Sequence, residues 1–170
     1  TTMGEGGNQT FTNVITGKFN ISQQANVTFE NIWICYGVEK TNIINCKDQA
    51  AVSLTNCVLE NTQAEGDVYP VIYAENNAKV VLKSTTIMEN PKLYMKSYIE
   101  NSTLEMEDCT FQDCKLILEF VDFKMKNSTI YTGDGNTIHA VGCDVQIESS
   151  TIKGCDMEKE YPAVWLDRSS

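Results

Sequence analysis

The strongest constraint in this chain is an eight-residue unit that occurs six times without a gap. It is clearest from Val145 to Ile152 (VQIESSTI), and its other copies begin at Val27, Val52, Val80, Leu104 and Phe123, at intervals of 19 to 28 residues. Self-similarity at such a period marks a repeat architecture, in which each unit buries its apolar face only against its neighbours. The first, third and eighth positions are apolar in every copy, from Val27, Phe29 and Ile34 to Val145, Ile147 and Ile152. Alternation of the first and third is the period of a strand with one buried face. The fifth position is Asn31, Asn56, Ser84, Asp108, Asn127 or Ser149. These short polar side chains suit a bend, and Asn and Asp tolerate a left-handed backbone there. The sixth position is mostly small, as a crowded corner requires.

A second alignment supplies the rest of the coil. Phe19-Asn-Ile21, Ile44-Asn-Cys46, Ile72-Tyr-Ala74, Ile138-His-Ala140 and Val164-Trp-Leu166 share one apolar, polar or aromatic, apolar pattern. Each reads as a third strand. The period is too short for ankyrin, tetratricopeptide or propeller repeats, and the returns are richer in β-branched and aromatic residues than in helix formers. The expectation is an all-β fold, a right-handed parallel β-helix (β-solenoid) of about six coils. It occupies residues 14–170 as a single domain behind a Gly-rich, flexible lead-in at 1–13, with 11–15 as the tail of an incomplete first coil. Residues 62–70, 89–96 and 154–162 read as excursions between the second and third strands, and 116–121 as the tightest coil. By the third-strand spacing the next unit would begin two residues past Ser170, so the chain reads as a segment of a longer protein with uncapped ends open to self-association.

These stacked units, with Asn at the bend, resemble the right-handed parallel β-helix of the pectin-lyase-like superfamily over about residues 14–170. That superfamily holds lyases, hydrolases, tailspikes, adhesins and inert modules, so the resemblance implies a fold rather than an activity. It places any catalysis on the outward face of the first strand. Its lyases resemble one another in a cationic base, often Arg, beside a calcium-binding acidic cluster; the only Arg here is Arg168, without such a cluster. Its hydrolases carry clustered Asp on neighbouring coils, whereas Asp108 and Asp113 share one coil. Lys83, Glu107, Lys126 and Glu148 alternate in sign coil by coil, which reads as a register-supporting ladder. Glu105 and Glu107 could form a carboxylate pair, but the flanking lysines favour the ionised form of both. The reading is therefore a catalytically inert member, a recognition or scaffold module. A polysaccharide-active lyase or hydrolase is the alternative, and a structural spacer or assembly subunit is a third.

Charge narrows the partner. With a net charge of −10 and a pI near 4.5 the chain repels phosphate backbones, so nucleic acid is not expected. No apolar run approaches the ~18 residues of a membrane span, so no insertion is expected. The seven Cys include no C-x2-C pair, and His139 is the lone histidine. They read as packed free thiols, with no metal and no cofactor, in a reducing, cytoplasmic setting. Five Asn-x-Ser/Thr sequons, at Asn8, Asn20, Asn26, Asn101 and Asn127, keep a secreted or cell-surface location as the alternative. Outward on the third strand stand Tyr73, His139 and Trp165, bordered by acidic loops at 65–69 and 156–161. Large outward rings anchor partners, so these three are the candidate binding residues for a protein, preferably a cationic surface, or for a glycan. The seventh position, with Thr86, Thr110, Thr129 and Thr151, reads as β-branched strand filler.

Overall fold

A computed structural model describes residues 13–36, 42–61, 69–88, 92–96, 102–132, 137–154 and 162–170. The chain winds through three strands per coil. The first coil is β1 (Asn13–Thr16), β2 (Phe19–Ile21) and β3 (Asn26–Glu30); the second is β4 (Ile32–Tyr36), β5 (Ile44–Lys47) and β6 (Ala51–Thr55). Then come β7 (Val58–Asn61), β8 (Pro70–Glu75) and β9 (Lys79–Lys83), followed by β10 (Thr86–Met88), β11 (Lys92–Lys96) and β12 (Ser102–Glu107). The fifth coil is β13 (Thr110–Gln112), β14 (Lys115–Glu119) and β15 (Val121–Lys126), and the sixth is β16 (Thr129–Tyr131), β17 (Ile138–Val141) and β18 (Asp144–Glu148). β19 (Thr151–Lys153) and β20 (Val164–Asp167) begin a seventh.

Every third strand pairs in parallel. Sheet I stacks β1-β4-β7-β10-β13-β16-β19, sheet II stacks β2-β5-β8-β11-β14-β17-β20, and sheet III stacks β3-β6-β9-β12-β15-β18. This is a parallel β-solenoid of about six coils, as expected from the repeat. The register matches the repeat alignment residue for residue: Val27, Val52, Val80, Leu104, Phe123 and Val145 form one ladder. Between them the three inward ladders fill the core, with Leu54, Leu82, Phe111, Phe123 and Ile138 fully buried.

The corner between sheets III and I has a stereochemical cause. Asn31, Asn56, Ser84, Asp108, Asn127 and Ser149 all take positive φ, between 46° and 56°. In every copy but the first, where Ile32 stands, the next residue then fills the corner and closes it with a hydrogen bond. Cys57 Sγ donates to the carbonyls of Phe29 and Thr55 at 3.4 and 3.3 Å, Thr85 Oγ1 to those of Leu54 and Lys83 at 3.2 and 2.9 Å, and Cys109 Sγ to those of Leu82 and Glu107 at 3.3 and 3.2 Å. Ser128 Oγ donates to the Lys126 carbonyl at 2.7 Å and accepts from the Cys109 amide at 3.0 Å. Size alone does not explain this position; a short side chain with a donor does. Asn56→Val should cost about 1–2 kcal/mol through left-handed strain, whereas Asn56→Gly should be tolerated far better; urea unfolding of the two variants measures the difference.

The opposite corner, between sheets II and III, uses a different device. Ala50, Ala78, Ser102, Val121 and Cys143 stand two residues before the repeat's first position and are buried. In the tightest coil a single residue, Phe120, separates β14 from β15, at a φ of 56°. Its ring covers the next coil at Gly142, where a Cβ would stand 2.7 Å from it.

The reading of 89–96 as an excursion is corrected in part. Lys92–Lys96 is β11, paired with β8 and β14, and Leu93 and Met95 are fully buried in the third-strand ladder. Two inward side chains between lysines are a weak signal, and only neighbouring strands on both sides fix their facing. Residues 89–91 lie outside the described residues. So do 1–12 of the expected lead-in; Asn13 already belongs to β1.

The two ends of the stack differ. At the β1–β3 end, Phe19 and Phe29 meet edge to face with centroids 4.8 Å apart, and Ile21 and Phe29 are 5% and 7% exposed. At the β18–β20 end the same ladder positions hold Leu166 and Ile147, which are 49% and 40% exposed. Six cysteines are free thiols, five of them buried; Cys155 lies outside the described residues.

Candidate functional site

The outward row of sheet II includes Asn20, Asn45, Tyr73, Ile117, His139 and Trp165. Alternation along each strand sends these positions away from the core. His139 and Trp165 are register partners on β17 and β20, with rings edge to face at a centroid distance of 6.2 Å and an interplanar angle of 63°. Both are exposed, Trp165 by 48%.

Tyr73 does not join them. It lies three strands away, roughly 14 Å at the usual strand spacing. Its hydroxyl donates to Glu75 Oε2 at 2.7 Å, while Lys47 Nζ stands 2.7 Å from Glu75 Oε1 and 5.0 Å above the Tyr73 ring. Partial burial opposes ionisation of Glu75, but the hydrogen bonds from Lys47 and Tyr73 prevail and lower its pKa below the ordinary carboxylate value. A lowered folded pKa gives stability that is present above the unfolded value and lost as pH falls through the folded one. Lys47→Ala should therefore move the Glu75 titration up, as followed by carboxyl NMR, and cost no more than about 1 kcal/mol at neutral pH because the pair is partly solvated.

One position in this row, Ile117, escaped the sequence reading. Leu116-Ile-Leu118 has the third-strand alternation, and that signal was present. The same strands carry a further outward row that includes Lys47, Glu75, Glu119, Val141 and Asp167. Most of the acidic loops at 65–69 and 156–161 lies outside the described residues; Tyr69 is exposed.

Concavity lies elsewhere. A groove of about 280 Å³ on the outer face of sheet III is lined by Val81, Lys83, Glu105, Glu107, Lys124 and Lys126. Lys79 Nζ meets Glu105 at 3.3 Å, and Lys83 and Lys126 share Glu107 at 3.8 and 4.0 Å. The expected ladder is therefore present, but its pairing is not one to one. Lys124 faces Glu105 in register and forms no ion pair among the described residues. These side chains are about half exposed, so each pair contributes little to stability.

Among the described residues no three His, Cys, Asp or Glu side chains converge as metal ligands, and no helix is long and apolar enough to cross a membrane. Fold and surface together define a parallel β-solenoid with an aromatic pair on one flat face and a lysine-lined groove on another. No protein family, curated protein or solved structure matches the chain.

Proposed function

We propose that this solenoid is a non-enzymatic recognition module, an inert relative of the pectin-lyase-like β-helices, which binds a protein partner through His139 and Trp165. The observation that carries this reading is the exposure of Trp165, 48%, on an outward strand position. A half-exposed Trp beside a second ring offers a large, rigid contact area at low entropic cost. The net charge of −10 favours a cationic segment over an acidic glycan. The free, buried thiols support a reducing, cytoplasmic setting.

The test is a titration of the Trp33→Phe variant, leaving Trp165 as the only reporter, with Lys/Arg-rich peptides and with neutral and acidic oligosaccharides. Peptide-dependent quenching is expected, little changed by Tyr73→Ala, since Tyr73 is held by Glu75, and calorimetric titration, which needs no Trp, should show binding weakened at least about tenfold by Trp165→Ala. Absence of any response, or a response indifferent to Trp165, would sink this reading.

A second reading, a polysaccharide-active enzyme, is favoured by the groove, where Glu105 and Glu107 lie on one strand among lysines. Release of reducing or unsaturated ends from a polysaccharide panel, abolished by Glu105→Gln or Glu107→Gln, would establish it.

A further inference from the structure

We infer that Phe120, at the corner between sheets II and III, is a second anchor of the partner surface, one that receives an apolar side chain of a Lys/Arg-bearing protein segment. The inference rests on the reading of His139 and Trp165 as a protein-binding site. Phe120 is 50% exposed and has a φ of 56°. Every other described residue with positive φ is polar, charged or Gly, and a bulky apolar residue is strained in that conformation. The same corner earlier in the stack uses Gln23-Gln24, Asp48-Gln49 and Asn76-Asn77. The strand that leads to Phe120, β14, is paired with β11 on one side and β17 on the other, yet the ring stands half in solvent. Strain kept at an exposed apolar residue, where Asn would relieve it, points to a contact outside the single chain.

The ring is also placed beside the existing pair. It lies over Gly142, where a Cβ would stand 2.7 Å from it. Gly142 follows β17, whose outward positions are His139 and Val141. From His139 to Gly142 is three residues, roughly 10 Å along the strand. Trp165, His139, Val141 and Phe120 thus lie within reach of one short extended segment. Charge selects the occupant. Main-chain hydrogen bonds align Phe120, Gly142 and Arg168 as one corner column. Within two residues of these positions stand Glu119, Asp122, Asp144 and Asp167, four carboxylates against the one guanidinium. Asp122 and Asp144 are register partners, which brings like charges side by side. A segment with Lys or Arg beside an apolar residue complements both features, whereas an acidic chain is repelled.

The test is calorimetric titration with two Lys/Arg-rich peptides of equal length and charge, one carrying Leu residues and the other Ser in their place. The Leu peptide is expected to bind the parent at least about tenfold more tightly. Phe120→Asn should remove that difference, and Phe120→Tyr should keep it. Trp165→Ala should weaken both peptides alike. Because Asn tolerates positive φ, the melting temperature of Phe120→Asn should equal or exceed that of the parent. A marked fall instead would show that the ring serves to cover Gly142, and would overturn the inference. A Leu preference that survives Phe120→Asn would overturn it too, while leaving the reading at Trp165 standing. Binding of neither peptide would overturn both. Oligosaccharide binding, or self-association in sedimentation, that Phe120→Asn abolishes would give the ring a different occupant and overturn this one.

Discussion

Phe123→Ala is expected to destabilise the solenoid by about 3–5 kcal/mol, whereas Ile147→Ala, one coil away in the same sheet, should cost less than about 1 kcal/mol. Both are inward positions of the repeat. Phe123 is fully buried between Leu104 and Val145 in its ladder, so truncation removes its transfer energy and leaves a cavity that rigid neighbouring strands cannot close. Ile147 is 40% exposed in this chain, and truncation there leaves space that water already reaches. Urea denaturation at a protein concentration where the chain is monomeric separates the two. Equal costs would show that the β18–β20 end is covered in solution.

Alkaline pH should destabilise the fold through its buried thiols. Burial pushes Cys46 and Cys109 up from 9.0 to about 11, and raises Cys57, Cys143 and Cys114 as well. The folded state therefore holds protons that the unfolded chain releases. This contribution is fully present below pH 9, the unfolded value, and is lost as pH rises toward about 11. At about 1.4 kcal/mol per pH unit, Cys46 and Cys109 together amount to about 5 kcal/mol, a large share of the stability of a domain this size. Unfolding free energy measured at steps from pH 8 to 11 should fall more steeply for the parent than for a Cys46→Ala/Cys109→Ala variant. Lysines titrate in both proteins, so they cancel in the comparison. Parallel slopes would show that these thiols do not carry the effect.

Several features of the candidate site were legible because a solenoid translates sequence position directly into spatial position. Aligning Ile138-His-Ala140 with Val164-Trp-Leu166 was enough to make His139 and Trp165 neighbours, and their rings are in contact. The same alignment put Tyr73 on the correct face but could not say that Lys47 and Glu75 engage it, because such contacts depend on rotamers rather than register. The groove on sheet III was missed for a similar reason. Alternating signs implied one-to-one pairing, whereas two lysines share Glu107 and leave an excess of positive charge around Val81.

The sequence by itself determined the coil: a period-two apolar alternation, a polar residue able to take positive φ, and a small corner residue, repeated until stacking became the only way to bury the apolar face. Those are local requirements, set by backbone stereochemistry and by the side chain at each position, and they appear as residue types at fixed offsets. Only the tertiary structure decided how deeply each repeat position is buried. Leu82 and Ile147 occupy the same position of the unit, yet one is fully buried and the other 40% exposed. Burial depends on whether another coil lies above, and that neighbour is not encoded within the unit. The corner donors follow the same rule: Cys57, Thr85, Cys109 and Ser128 look interchangeable by size, and their shared hydrogen bond to a carbonyl became visible only once the preceding strand was in place.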